Sequence, residues 1–187
     1  MKKNYKFIVS DDVPGPTKEE IRCLVMCKSD ISKSDVVLEI GTGTGGLTTE
    51  FARKAKKVFS VDKNPKAINL AQANLKRMEL EHKVELIQGD ALGVMDSITQ
   101  FDVLMIGGSS GDLSQIIKKG FNNLRSGGRI IVTAILLETR VEAVKILQEL
   151  SMYPSIVDIS ISRGKLIERG TMMYAENPVA IIYASKE

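Results

Sequence analysis

The sequence predicts an α/β fold, a single doubly wound domain on a mostly parallel sheet. Three observations predict it. Short β-rich apolar runs alternate with amphipathic helical stretches from Val36 to Leu150. The segment "LEIGTGTGG", Leu38 to Gly46, closes the first of those runs with four glycines at a strand-to-helix junction. The tail, Ser155 to Glu187, holds two strand-like runs with no convincing helix between them, which implies an antiparallel hairpin at one sheet edge. Five alternating strands covered by helices on both faces, plus the terminal pair, make seven.

Each element has its own signal. In "VPGPTKEEIRCLVMCK" the prolines delay a helix, and Thr17 with Glu20 three residues later has capping-box spacing. Cys23 and Cys27 lie four apart, on one face of that helix, and are expected in a buried stripe with Ile21, Leu24 and Val25. "VVLEI" is the first strand, "LTTEFARKA" a helix and "KVFSVD" the second strand. "NPKAINLAQANLKRMEL" accepts Pro65 at its start and turns Ile68, Leu70, Ala71 and Leu75 inward. "KVELIQGD" and "FDVLMIGG" are the third and fourth strands. A helix over Leu113 to Leu124 precedes the fifth, "GGRIIVTAIL". "ETRVEAVKILQEL" is then a helix with Val141, Val144, Ile146 and Leu147 on its inner side.

Length and composition bound the function. The 187 residues suffice for one domain with a substantial core, residues 1–187. A net charge of +3, 5% aromatics and no tryptophan give a nucleic acid little to grip, so no nucleic-acid partner is expected. No apolar run approaches the roughly 20 residues of a membrane span. The opening "MKKNYKFIVSDD" lacks a signal-peptide core, and two cysteines make neither a disulfide framework nor a zinc site, so a cytoplasmic, metal-free protein is expected.

The glycines leave two cofactors open. Gly41, Gly43 and Gly46 satisfy G-x-G-x-x-G, and Asp62 closes the second strand where a ribose-binding acid belongs, as both NAD and S-adenosyl-L-methionine require. Three features favour the second. Glu39 completes E-x-G-x-G-x-G, which resembles the first motif of class I methyltransferases. Asp90 in "GDAL" stands where an acid can accept a hydrogen bond from an adenine amino group. "LRSGGRIIV" resembles the glycine turn before the fifth strand of that superfamily, whose seven-stranded sheet has an antiparallel last strand. S-adenosylmethionine carries no phosphate, so bare backbone here serves close approach to its amino-acid and ribose portions.

Absences narrow the acceptor. "IGGSSGD" after the fourth strand is not the Asn/Asp-Pro-Pro-aromatic signature of amino-group methylation, and no cysteine follows that strand to act as a nucleophile. His82, the sole histidine, lacks a partner for base catalysis. The stretches "VPGPTKEEIRCLVM", "EIGTGTGGLT", "VDKNPKAI", "IGGSSGDL", "GGRIIVTAILLET" and "RGTMMYAENPVAIIY" resemble the decarboxylating C15-methyltransferases of anaerobic cobalamin biosynthesis, over nearly the whole chain. The resemblance implies methylation of C15 of cobalt-precorrin-6B with loss of CO2 from the C12 acetate. It also implies S-adenosylmethionine contacts from Thr17, Gly41, Thr42, Gly43, Thr44, Gly45, Asp62, Asp90 and Ala91, with residues 1–30 completing the cofactor site. A homotetramer is implied too, with transient contact with other corrin-pathway enzymes a further expectation. A ring with many acetates and propionates calls for a broad cleft rimmed by cations; Arg163, Lys165 and Arg169 are candidates to hold carboxylates. Gly108 and Ser109 leave the fourth strand beside the expected methyl position. No catalytic acid or base is nominated. Rival readings are an RNA or protein methyltransferase, or a non-catalytic S-adenosylmethionine-binding subunit.

Overall fold

The structure is a computed structural model and describes residues 6–187. Among the described residues six α-helices, α1 (Glu19–Ser29), α2 (Gly46–Lys54), α3 (Pro65–Arg77), α4 (Ala91–Val94), α5 (Leu113–Asn123) and α6 (Leu137–Glu149), flank the strands. The strands are β1 (Val36–Ile40), β2 (Lys57–Asp62), β3 (Val84–Gln88), β4 (Phe101–Ile106), β5 (Leu124–Ala134), β6 (Ser155–Ile159), β7 (Ser162–Ile167), β8 (Gly170–Ala175) and β9 (Val179–Ser185). Seven form one sheet in the order β3-β2-β1-β4-β5-β9-β6. β1 pairs in parallel with both β2 and β4, so strand order reverses there and a crevice opens beyond their carboxyl ends. β9 runs antiparallel to β5 and β6, as the tail pattern predicts. Among the described residues no helix is long and apolar enough to cross a membrane.

The period-2 pattern of the strands fills both faces. Leu38, Ile40, Leu104 and Ile106 point toward α4, α5 and α6, while Val37, Val103 and Met105 point toward α1 and α2. Each fully buried Leu or Ile contributes about 1.5–3 kcal/mol relative to exposure, so the core holds the two glycine loops at the carboxyl ends in a fixed relation.

Four expectations are corrected. The helix after the prolines starts at Glu19, its cap residue Lys18 makes no side-chain capping bond, and Thr17 lies one residue too early to serve as the cap. Cys23 and Cys27 are exposed. The buried stripe of α1 is instead Ile21, Arg22, Val25, Met26 and Ser29, because Glu50 on α2 draws Arg22 inward, 3.5 Å between Nε and Oε1. On α6 Val141 is exposed, and the inner face is Ala143, Ile146 and Leu147. Finally, "SIVDISISRGK" is two strands. It leaves the sheet after Ile159, where the run turns polar, and residues 162–167 pair with 170–175 in a separate two-stranded ribbon. Arg163 and Lys165 therefore stand on a strand, and Arg169 on the turn joining β7 to β8.

Candidate functional site

The loop between β1 and α2 is shaped by backbone that other residues do not tolerate. Gly41, Gly43 and Gly45 have φ of 92°, 52° and 82°. Gly41 N and Thr42 N both donate to the Val61 carbonyl, at 2.8 and 3.2 Å, which hooks the loop over the end of β2. Asp62 fixes the next turn: its Oδ2 accepts from Gly43 N and its Oδ1 from Asn64 N, both at 2.9 Å. The threonine hydroxyls turn inward, Thr42 Oγ1 lying 2.7 Å from Ser60 Oγ and Thr44 Oγ1 donating to the Pro14 carbonyl at 2.5 Å. The loop thus presents backbone rather than side chain to the crevice. A Cβ on Gly41 would lie 2.8 Å from Gly108 N, whereas one on Gly43 meets nothing within 4 Å.

Beneath the loop sits a buried acid. Glu39 is 1% exposed, and one of its oxygens, Oε2, accepts from Thr48 Oγ1 at 2.6 Å and Ser60 Oγ at 2.7 Å. Burial pushes its pKa up to about 7 against the pull of those hydroxyls, and the nearby Asp62 carboxylate adds to the rise.

Three connected spaces surround these groups. A chamber of about 320 Å³ is lined by Glu39, Gly41 to Thr44, Thr17 and Asp62. A second, about 130 Å³, continues from Asp62 to Asp90 and Ala91. Asp90 caps α4, accepting at Oδ2 from Leu92 N at 3.1 Å and Gly93 N at 3.4 Å. The Gly93 amide holds its carboxylate below the ordinary range, with Lys63 helping against burial. The third space is a cleft of about 870 Å³ between the Pro14–Lys18 segment, the loop after β4 and the ends of β5 and β9. Cleft and first chamber share Pro14, Gly15, Thr17, Gly107, Gly108 and Thr133.

The predicted site residues divide accordingly. Thr17, Gly41 to Thr44, Asp62, Asp90 and Ala91 line the two chambers, while Gly45 packs on Ala71 behind the loop. Gly108 and Ser109 line the cleft. The basic trio stands apart from its walls. Arg163 is engaged by Glu20 Oε2 at 2.8 Å and Glu176 Oε1 at 2.9 Å, and these bonds drive its guanidinium pKa further up. Lys165 and Arg169 make no ion pair among the described residues. Sequence reasoning missed Thr133, which faces both spaces, and Glu142, which lines the cleft while accepting from Ser114 N at 3.2 Å. A polar residue at the end of the apolar run "RIIVTAIL" was the signal for Thr133.

Comparison with known proteins decides the family. The precorrin methyltransferase domain matches residues 12–186. The chain belongs to that family. It is 45% identical over 178 residues to the probable cobalt-precorrin-6B C(15)-methyltransferase (decarboxylating) of Methanothermobacter thermautotrophicus, covering 95% of this chain and 93% of that one. The protein of the same name from Methanobrevibacter smithii is 44% identical over 186 residues, all of both chains. The crystal structure of precorrin 8w decarboxylase from Methanobacterium thermoautotrophicum superposes with a TM-score of 0.95 at 44% identity, covering 98% of this chain and 99% of that one. This family membership bears out the class I methyltransferase fold expected from the glycine motif.

Proposed function

We propose that the chain transfers the methyl group of S-adenosylmethionine to C15 of cobalt-precorrin-6B, with loss of CO2 from the C12 acetate. The observation that carries this reading is the aperture of Gly107, Gly108 and Thr133 between a glycine-walled chamber and a cleft of about 870 Å³. That volume lies at the upper end of small-molecule sites, in keeping with a macrocycle. The same activity stands in the names of relatives that match this chain from end to end.

The residues present fit the donor. The open face of Gly43 admits close approach of a ligand to backbone. Asp62 retains acceptor capacity for ribose hydroxyls beside its two backbone bonds, and Asp90 with Ala91 would flank the adenine. When bound, the donor supplies an activated methyl on a cationic sulfur. The protein's part is to hold it in line with the acceptor carbon at the aperture and to keep water out, a contribution of several kcal/mol. Lys18, which lines the cleft and stands 3.5 Å from Glu176, is proposed to meet a carboxylate of the ring, and Lys165 and Arg169, on the ribbon outside the cleft walls, to meet side chains of the ring that extend beyond them. The apolar rim formed by Ile135 and Leu136 suits the ring's faces.

The protein is proposed to work in the cytoplasm as a homotetramer, with transient contacts to enzymes that supply and take up its ring. The β7–β8 ribbon supports self-association: it exposes Leu166, Met172, Met173 and Tyr174, and an unsupported two-stranded ribbon is marginal in water. Light scattering on purified protein would give four chains, and a monomer would overturn that part. The activity is tested by adding S-adenosylhomocysteine in a calorimeter, then following turnover of cobalt-precorrin-6B. Binding plus CO2 release supports the assignment, and methyl transfer to bulk tRNA instead would overturn it.

A further inference from the structure

Among the described residues, three charged side chains line the large cleft: Lys18, Glu142 and Glu176. Two of them are tied to each other, since Glu176 Oε1 lies 3.5 Å from Lys18 Nζ and 2.9 Å from Arg163 Nε. Glu142 has a single polar partner. Its Oε1 accepts from Ser114 N at 3.2 Å, and its Oε2 accepts no hydrogen bond and meets no cation among the described residues. A negative charge without a counter-ion works against binding a ring that carries many carboxylates, so its place in the cleft wall calls for a chemical reason. That place is fixed from two sides. α6 turns Ala143, Ile146 and Leu147 into the core, which seats the half-buried Glu142 where core meets cleft, with Thr139 on the same wall. Ser114 stands in the first turn of α5, whose cap residue Asp112 makes no side-chain capping bond, so Glu142 supplies an acceptor from the neighbouring helix. This structural duty occupies one oxygen and leaves the other uncommitted.

Decarboxylation of the C12 acetate needs an acid. As CO2 leaves, the bond between the carboxylate and the acetate's methylene carbon breaks, and its electron pair passes toward the ring, which leaves C12 doubly bonded to that carbon. The carbon becomes a methyl group only by taking a proton, the pair of the double bond forming the new C–H bond. The hydroxyls that line the cleft, those of Ser109, Ser110, Thr133 and Thr139, are far weaker acids than a carboxyl. Resting on the C15 methylation and decarboxylation reading above, we propose that Glu142 is the catalytic acid that protonates the methylene carbon left by CO2. The docked ring gives it a proton to donate, because carboxyl groups crowded together share protons rather than all ionise. The carboxylate formed on donation is met by Ser114 N and the N-terminus of α5, which favour negative charge. Protonation leaves the ring positive; the C15–H bond then breaks, its pair returns to the ring, and Glu142 takes up that proton. Charge balances over the turnover: a methyl cation enters, a carboxylate departs as neutral CO2, and solvent supplies no net proton.

The test follows single turnovers of the full chain with cobalt-precorrin-6B and S-adenosylmethionine, reading S-adenosylhomocysteine for methyl transfer and the NMR of the isolated ring for the C12 methyl. Glu142→Gln keeps an oxygen for Ser114 N and loses only the acid, so a purely structural role predicts wild-type behaviour. The acid role predicts a C12 methyl formed about a hundredfold or more slowly, with methyl transfer slowed by less than about tenfold and the melting temperature unchanged. Glu142→Ala removes the acceptor as well, and added formate, a small acid able to enter the vacated space, should restore C12 methyl formation at least about tenfold and in proportion to its concentration. A wild-type rate of C12 methyl formation in Glu142→Gln overturns the proposal. So does a Glu142→Ala variant that stays slow in formate, or equal loss of both steps in Glu142→Gln; each leaves the methyltransferase reading intact. A wild-type chain that performs neither step overturns both.

Discussion

Replacing Gly41 by alanine puts the central geometry at risk in a way that can be measured. Two effects act at that position. Its φ of 92° lies where L-residues are strained, costing on the order of 1–3 kcal/mol. In addition, the new Cβ would lie 2.8 Å from Gly108 N and 3.3 Å from the Gly107 carbonyl carbon, backbone atoms that cannot rotate away. Gly43 separates the two effects: its φ is 52°, also left-handed, but its Cβ meets nothing within 4 Å. Gly43→Ala therefore pays strain alone, about 1–2 kcal/mol, a melting shift of roughly 2–8 °C for a chain of this size. Gly41→Ala adds overpacking of about 1–3 kcal/mol and pushes the loop after β4 away from β1. Its melting temperature should fall by roughly twice as much, and its affinity for S-adenosylhomocysteine more than tenfold. Differential scanning calorimetry and titration of both variants give the answer. If the two variants melt together and bind alike, the close approach of the two glycine loops is not what shapes the chamber.

Three further outcomes follow from the packing and the charges. Arg22→Ala takes from Glu50, 4% exposed, the guanidinium that stands 3.5 Å from it, and breaking such a buried pair costs about 3–5 kcal/mol; chemical denaturation should register it, while Cys23→Ser on the exposed face changes stability by less than about 0.5 kcal/mol. Glu39 holds its proton more tightly folded than unfolded, about 7 against 4.5, so apo stability should fall as pH rises from about 4.5 to about 7 and level off above; Glu39→Gln should remove that part of the slope in melting curves across pH. Arg169→Ala should weaken binding of the corrinoid and leave S-adenosylhomocysteine affinity near wild type; loss of both together would show the ribbon serving the fold instead.

How far the sequence spoke can be read from particular residues. β1 to β4 were legible because each is a short apolar run closed by glycine or aspartate, and Gly41, Gly43 and Asp62 followed from the strand-to-turn spacing. The rotation of α1 was not. Periodicity assigns Cys23 and Cys27 to the apolar face, but the inner position went to Arg22 because Glu50, distant in sequence, neutralises it in the core. Val141 misled for a related reason: an apolar residue on α6 stays exposed, as Leu136 and Leu137 do at the start of that helix. The β7–β8 ribbon was hidden because "SIVDISISRGK" is continuous in β propensity, and only loss of an apolar face after Ile159 breaks it. Thr133 could be suspected but not placed, since its value lies in joining two spaces built by segments far apart in the chain.

The most direct measurement of the central claim is a single turnover of the purified chain with cobalt-precorrin-6B and S-adenosylmethionine labelled at its methyl carbon, read by mass spectrometry. The account predicts a ring that has gained one labelled methyl and lost one CO2, with S-adenosylhomocysteine formed in equal amount. An unlabelled ring alongside intact donor, from protein that binds both, would contradict it.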